Sequence, residues 1–85
     1  MTEIEVMERV AELVARQFSL EKADVTAATG PQDIDAWDSL THVGLTTELE
    51  RAFGIRFEIE EVMEMENVAA IVRVIAKRLS ERKPQ

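Results

Sequence analysis

Apolar residues recur at helical spacing in three stretches of the chain and lose all period in a fourth. Val6, Val10, Leu13, Val14 and Phe18 repeat every three to four positions, with Glu8, Glu12 and Arg16 between them. That spacing predicts an amphipathic helix. Thr2 and Glu5 stand three apart just before the pattern, as the first and last residues of a capping box do, and the helix is expected to end near Ser19. From Ser19 to Asp38 the apolar residues Leu20, Val25 and Ile34 are scattered among Asp, Thr, Ala, Gly30 and Pro31. A connection this long is uncommon in a small fold unless it is functional or held by its own apolar anchors. Those three residues are read as the anchors.

A second helix is expected from Ser39 to Phe53, with Gly54 placed to end it in a left-handed conformation. It has two apolar stripes. Leu45, Leu49, Ala52 and Phe53 fall together with His42 beside them, while Leu40, Val43, Gly44 and Thr47 fall on the opposite side. A surface helix normally has one such stripe, so the second needs its own explanation. Ile55 and Phe57 open a short link, and Glu60 to Met65 has room for a turn or two of helix presenting Val62, Met63 and Met65. Asn67 is a good cap for a last helix whose buried stripe is Val68, Ile71, Val72, Ile75 and Leu79, with Pro84 beyond its end. No strand pattern or repeat is visible. The expected fold is all-α: a small four-helix bundle of three longer helices and a short third one, with a long loop between helices 1 and 2.

Size and charge narrow the function. Eighty-five residues make one expected domain, 1–85, with a stability of roughly 4–13 kcal/mol and little room for a deep catalytic cleft. The formal net charge of −7 argues against nucleic-acid binding, which needs clustered Lys and Arg. Half of the ten basic residues gather late, from Arg73 on, where Lys77, Arg78, Arg82 and Lys83 oppose the negative end of the last helix. There is no Cys, hence no disulfide framework and no thiol of the chain's own. The start, M-T-E-I-E, shows no signal peptide, and no apolar run approaches the ~20 residues that span a bilayer. A cytoplasmic monomer without membrane or nucleic-acid partners is expected.

The chemistry converges on A-W-D-S-L-T-H-V-G-L, residues 36–45. In the plain reading, Asp38 caps the helix and Ser39 is tolerated in its first turn. A catalytic serine is the sharper reading, since His42 lies three residues on and Asp38 could complete a triad. It is disfavoured: there is no G-x-S-x-G elbow, no Gly-rich oxyanion loop, and all three residues sit on one helix start. The third reading makes Ser39 the substrate of another enzyme. His42 is expected at the edge of the core, and Trp37 is expected to pack the loop onto helix two. Glu58, Glu60, Glu61, Glu64 and Glu66 lack the alternating ligands and Gly of a calcium loop and are read as a solvated face. Met63 and Met65 are read as core.

Almost the whole chain resembles the carrier-protein family, the acyl carrier proteins and the related peptidyl carriers. The resemblance rests on R-V-A-E-L-V-A-R-Q-F, then L-E-K-A-D-V-T opening the long loop, then D-S-L. It continues through L-E-R-A-F-G-I-R-F and N-V-A-A-I-V-R-V-I. It implies that Ser39 carries 4′-phosphopantetheine, transferred from coenzyme A by a separate phosphopantetheinyl transferase using Mg²⁺, and that the arm's thiol holds cargo as a thioester. A thiol imported on an arm answers the absence of Cys. The phosphodiester would meet the positive end of the helix dipole, which Asp38 slightly opposes; the resemblance also implies that Asp38 helps engage the transferase and its metal. Leu40, Val43, Gly44 and Thr47, with Asp38, are expected to dock the transferase, an acyl- or aminoacyl-loading enzyme and downstream synthases. Flexible Met side chains on a short third helix suit a core that loosens to admit an acyl chain.

Two departures bear on the pathway. Many relatives have Leu-Gly shortly before D-S-L where this chain reads I-D-A-W, and fatty-acid carriers are richer in acid along helix two than T-H-V-G-L-T-T. W-D-S-L-T-H-V looks more like free-standing carriers of polyketide or nonribosomal peptide pathways. An aminoacyl or peptidyl carrier with the same Ser, and a helical adaptor without a prosthetic group, are the alternatives.

Overall fold

The computed structural model describes residues 2–81, and among them the chain forms four α-helices and no strand. These are α1 (Glu3–Phe18), α2 (Ser39–Phe53), α3 (Ile59–Met63) and α4 (Val68–Glu81), with a 3₁₀ turn at Lys22–Asp24 inside the long loop. Arg82, Lys83 and Pro84 lie outside the described residues. The all-α bundle expected from the periodicity is the one observed.

Local chemistry explains each boundary. Thr2 accepts the Glu5 N–H at 3.2 Å while its own N–H donates to Glu5 Oε1 at 2.8 Å, closing the capping box at the start of α1. The Thr2 N–H, joined by the Thr2 hydroxyl donating to the same oxygen at 3.1 Å, holds the Glu5 carboxyl below its ordinary range. At the far end Ser19 takes a left-handed conformation, φ 57°, and ends the helix. Gly54 does the same for α2 with φ 65°, where a side chain would be strained. Beyond it the Phe57 N–H donates to Glu50 Oε2 at 2.8 Å, fixing the link to α3.

The core is built from Val6, Val10, Leu13 and Val14 of α1, Leu45 and Leu49 of α2, and Val68, Ile71 and Ile75 of α4, all essentially closed to solvent. Leu79 packs at its edge. The three loop anchors are seated as expected, Val25 buried and Leu20 and Ile34 packed against the cluster. The loop is also pinned by its backbone. Thr29 O accepts the Val68 N–H at 2.8 Å and Ala27 O accepts the Ala69 N–H at 2.9 Å. Asn67 Oδ1 takes the Ala70 N–H at 2.8 Å. Three N–H groups that the start of a helix leaves without intrahelical partners are thus satisfied, two of them by the loop.

Three expectations need correction. Ala52, placed with the buried stripe of α2, is exposed. Thr46 is buried instead, its hydroxyl donating to Val43 O at 2.9 Å. The buried arc therefore runs from Leu45 to Thr46, about 100° at 3.6 residues per turn, and Ala52 falls about 20° outside it. Met63 is 77% exposed, whereas Met65 is in the core. α3 ends at Met63, so the two methionines do not share a helical face. Glu61 is not part of a solvated acidic face. Its carboxylate is gripped by Arg78 of α4, which donates from Nη2 at 2.7 Å and from Nε at 3.1 Å to each oxygen.

Candidate functional site

The start of α2 is unusually well fixed for a helix terminus at the surface. Asp38 Oδ1 accepts the Thr41 N–H at 3.0 Å, and Thr41 Oγ1 accepts the Asp38 N–H at 2.9 Å, a reciprocal box. The Thr41 hydroxyl then donates to Ala36 O at 2.7 Å, tying the box to the preceding turn. Thr41 was missing from the expected site; only the D-x-x-T spacing could have pointed to it. The backbone N–H of Thr41 is the main reason the Asp38 carboxyl sits below its ordinary range, so it stays charged well into mild acid.

Ser39 is the first residue of this helix and is exposed. Its hydroxyl makes no hydrogen bond to any described residue. Of the other serines, Ser19 stands at the left-handed C-terminal end of α1, and the Ser80 hydroxyl donates to Lys77 O at 2.9 Å. Only Ser39 presents a free oxygen at the start of a long helix.

Beside it lies an open cleft of about 450 Å³, lined by Pro31, Gln32, Trp37, Asp38, Ser39, His42 and Val62, Met63, Met65 and Glu66. Trp37 is buried, stacked on Phe18 at 5.1 Å between ring centroids and on His42 at 6.0 Å. Its indole N–H donates to His42 Nδ1 at 2.9 Å, and His42 Nε2 lies 2.9 Å from Val62 O. An indole N–H can only donate, so Nδ1 accepts and Nε2 carries the proton given to the carbonyl. Trp37 thus packs the loop onto α2, and His42 is a core-edge, cleft-lining residue. With both nitrogens engaged away from Ser39, His42 cannot act as its base.

The second stripe of α2 is largely open. Leu40 is 81% exposed and Val43 57%, and Thr47 is exposed with its hydroxyl donating to Val43 O at 3.0 Å. Gly44 is half-buried rather than open; the Gln17 side chain of α1 stands over it, 3.6 Å from where a Cβ would sit. Among the described residues no cluster of His, Cys, Asp and Glu could hold a metal ion, and no helix is long and apolar enough to cross a membrane.

The residues present fit a phosphopantetheine arm. An unpaired, exposed hydroxyl lies at the positive end of a fifteen-residue helix, where a phosphodiester is favoured. The adjoining cleft has apolar walls along which an extended arm can lie.

Comparison with known proteins agrees with this. A family model described as phosphopantetheine attachment site matches residues 8–75. The acyl carrier protein of Petrotoga mobilis is 35% identical over 81 residues, covering 94% of each chain. That of Lactobacillus johnsonii is 30% identical over 76 residues, covering 88% of this chain and 94% of its own. Among solved structures, the acyl carrier protein of Enterococcus faecalis superposes with a TM-score of 0.75 at 32% identity, over 92% of this chain and 99% of that one. The holo acyl carrier protein of Geobacter metallireducens superposes with a TM-score of 0.80 at 28% identity, over 94% and 95%. The chain belongs to the acyl carrier protein family, whose members are carriers rather than catalysts and bear covalent 4′-phosphopantetheine.

Proposed function

We propose that the chain is a carrier domain that holds intermediates as thioesters on an arm attached to Ser39, in polyketide or nonribosomal-type biosynthesis. The observation that supports Ser39 is its exposed hydroxyl, unpaired at the first turn of a helix whose cap is already satisfied by Asp38 and Thr41. In the transfer the Ser39 Oγ–H bond and a P–O bond of the coenzyme A pyrophosphate break and an Oγ–P bond forms; adenosine 3′,5′-bisphosphate leaves, and the serine proton passes to a base of the transferase. Asp38 keeps the helix start in place and, charged, suits contact with a metal-bearing transferase. When bound, the arm supplies the thiol that this chain lacks.

The pathway reading rests on I-D-A-W before D-S-L and on the nearly neutral outward face of α2 that carries Leu40, Val43 and Thr47. Partner enzymes that load and unload the arm would dock there through apolar contact. Incubation with coenzyme A and a broad-specificity phosphopantetheinyl transferase, followed by intact mass, is the test. One added phosphopantetheinyl group on the wild type and none on Ser39→Ala is expected. Labelling of the Ala variant would move the site elsewhere, and no gain on the wild type would favour an adaptor without a prosthetic group. Efficient elongation by fatty-acid synthase enzymes of the malonyl-loaded protein would overturn the pathway reading.

A further inference from the structure

Trp37, His42 and Met65 line the cleft beside Ser39 on the side that faces the core. His42 stands one turn before Leu45 and Thr46 on the buried side of α2 and spans the gap to the end of α3. One ring nitrogen receives the Trp37 indole, the other donates to the Val62 carbonyl, and the ring lies over Trp37. Behind this pair Leu45 and Leu49 are fully closed to solvent, and Met65 closes the remaining side with 2% exposure. Every buried side-chain nitrogen and oxygen among the described residues has a partner.

We propose that the Trp37–His42 pair is the cargo-selecting element of this carrier, sealing the route from the cleft to the core so that carried chains stay in the open cleft. The proposal rests on attachment at Ser39. An alkyl chain can pass between α2 and α3 only if His42 leaves Val62, and that movement takes their acceptors from the indole N–H and the imidazole N–H, while the Val62 carbonyl keeps the Met65 N–H at 3.3 Å. Each methylene placed in the core favours entry, but stranded polar atoms oppose it from the first. Short or polar acyl groups, which gain little from burial, lose nothing by remaining outside. Long alkyl chains are left exposed, so the carrier suits small or oxygen-bearing cargo handed on quickly.

The test uses full-length protein charged by the transferase directly from butanoyl-, octanoyl- and dodecanoyl-coenzyme A. Thioester cleavage by hydroxylamine and the NMR resonance of the lone indole N–H are read for each. In the wild type, cleavage should vary less than about twofold with chain length, with the indole resonance unmoved. His42→Gln, whose amide can both accept from Trp37 and donate to Val62, should behave alike. His42→Ala should protect the dodecanoyl thioester about fivefold or more over the butanoyl one. Protection of the dodecanoyl chain in the wild type, or its absence in a folded His42→Ala, overturns the proposal. If His42→Ala does not fold, the wild-type series decides alone. Failure to gain any arm overturns the carrier reading and this proposal with it, whereas normal charging with a protected wild-type chain overturns only the seal.

Discussion

Arg78 of α4 holds both carboxylate oxygens of Glu61 of α3, and the same carboxylate accepts the Glu58 N–H at 2.8 Å. A single side chain thereby closes the capping box of α3 and ties that helix to α4. None of the five residues of α3 is fully buried. Its place is set by this ion pair on one side and by the His42–Val62 bond on the other.

The pair gives α3 a pH dependence. The Arg78 hydrogen bonds hold the Glu61 carboxyl below its ordinary range, so its contribution is complete above the unfolded value, about 4.3. It is lost as pH falls through the lower folded value. Glu61→Gln should melt a few degrees below the wild type at pH 7, and the two melting curves should converge in acid. Melting followed by circular dichroism across pH checks this; a difference that persists or grows in acid contradicts it.

Gly30 predicts a different failure. A Cβ there would come within 2.5 Å of the Glu66 carbonyl oxygen and 3.3 Å of Asn67 Cα, both backbone atoms that cannot swing aside. Gly30→Ala should push the loop off the start of α4 and cost on the order of 1–3 kcal/mol in urea unfolding. A variant as stable as the wild type would show that the loop is not seated as described.

The two sides of α2 are separable by charge. Leu49 is fully closed to solvent, so Leu49→Asp buries a carboxylate without a partner and should unfold a chain this small. Val43→Asp lies on the open side and should keep the wild-type melt yet slow loading by partner enzymes. Because that face is nearly neutral in the wild type, loading there should depend less on salt than docking on a strongly acidic face would. Unfolding by Val43→Asp but not by Leu49→Asp would reverse the orientation of the helix. Normal loading of Val43→Asp would place docking elsewhere.

Gly44 can be tested for flatness apart from stability. An added methyl meets only Gln17, at ordinary contact distance, so Gly44→Ala should gain about 0.5–1 kcal/mol from helix propensity. Slower loading of this more stable variant would show that partners need the missing side chain. Unchanged loading would remove Gly44 from the docking face.

What could be read from the sequence was local. Thr2 with Glu5, Gly54 after Phe53, and Asn67 before Val68 act through bonds three or four residues long, and all three ends fall where those residues place them. The family pattern around D-S-L is what singles out Ser39 as the proposed attachment residue. What the sequence hid is tertiary. Glu61 finds Arg78 seventeen residues away, and His42 reaches a backbone carbonyl twenty residues on, which no period encodes. Ala52 was misplaced because it lies about 20° outside the buried arc of α2, and Met63 because α3 ends there, before Met65.

The carbonyls of Ala27 and Thr29 that accept from Ala69 and Val68 make the approach to Ser39 and the start of α4 one cooperative unit. Opening of residues 19–38 releases those two amides, so their hydrogen exchange reports the motion of a segment some forty residues upstream in the chain. A transferase that had to peel back the loop to reach Ser39 would raise exchange at Val68 and Ala69, and one that took the serine with the loop seated would leave both protected.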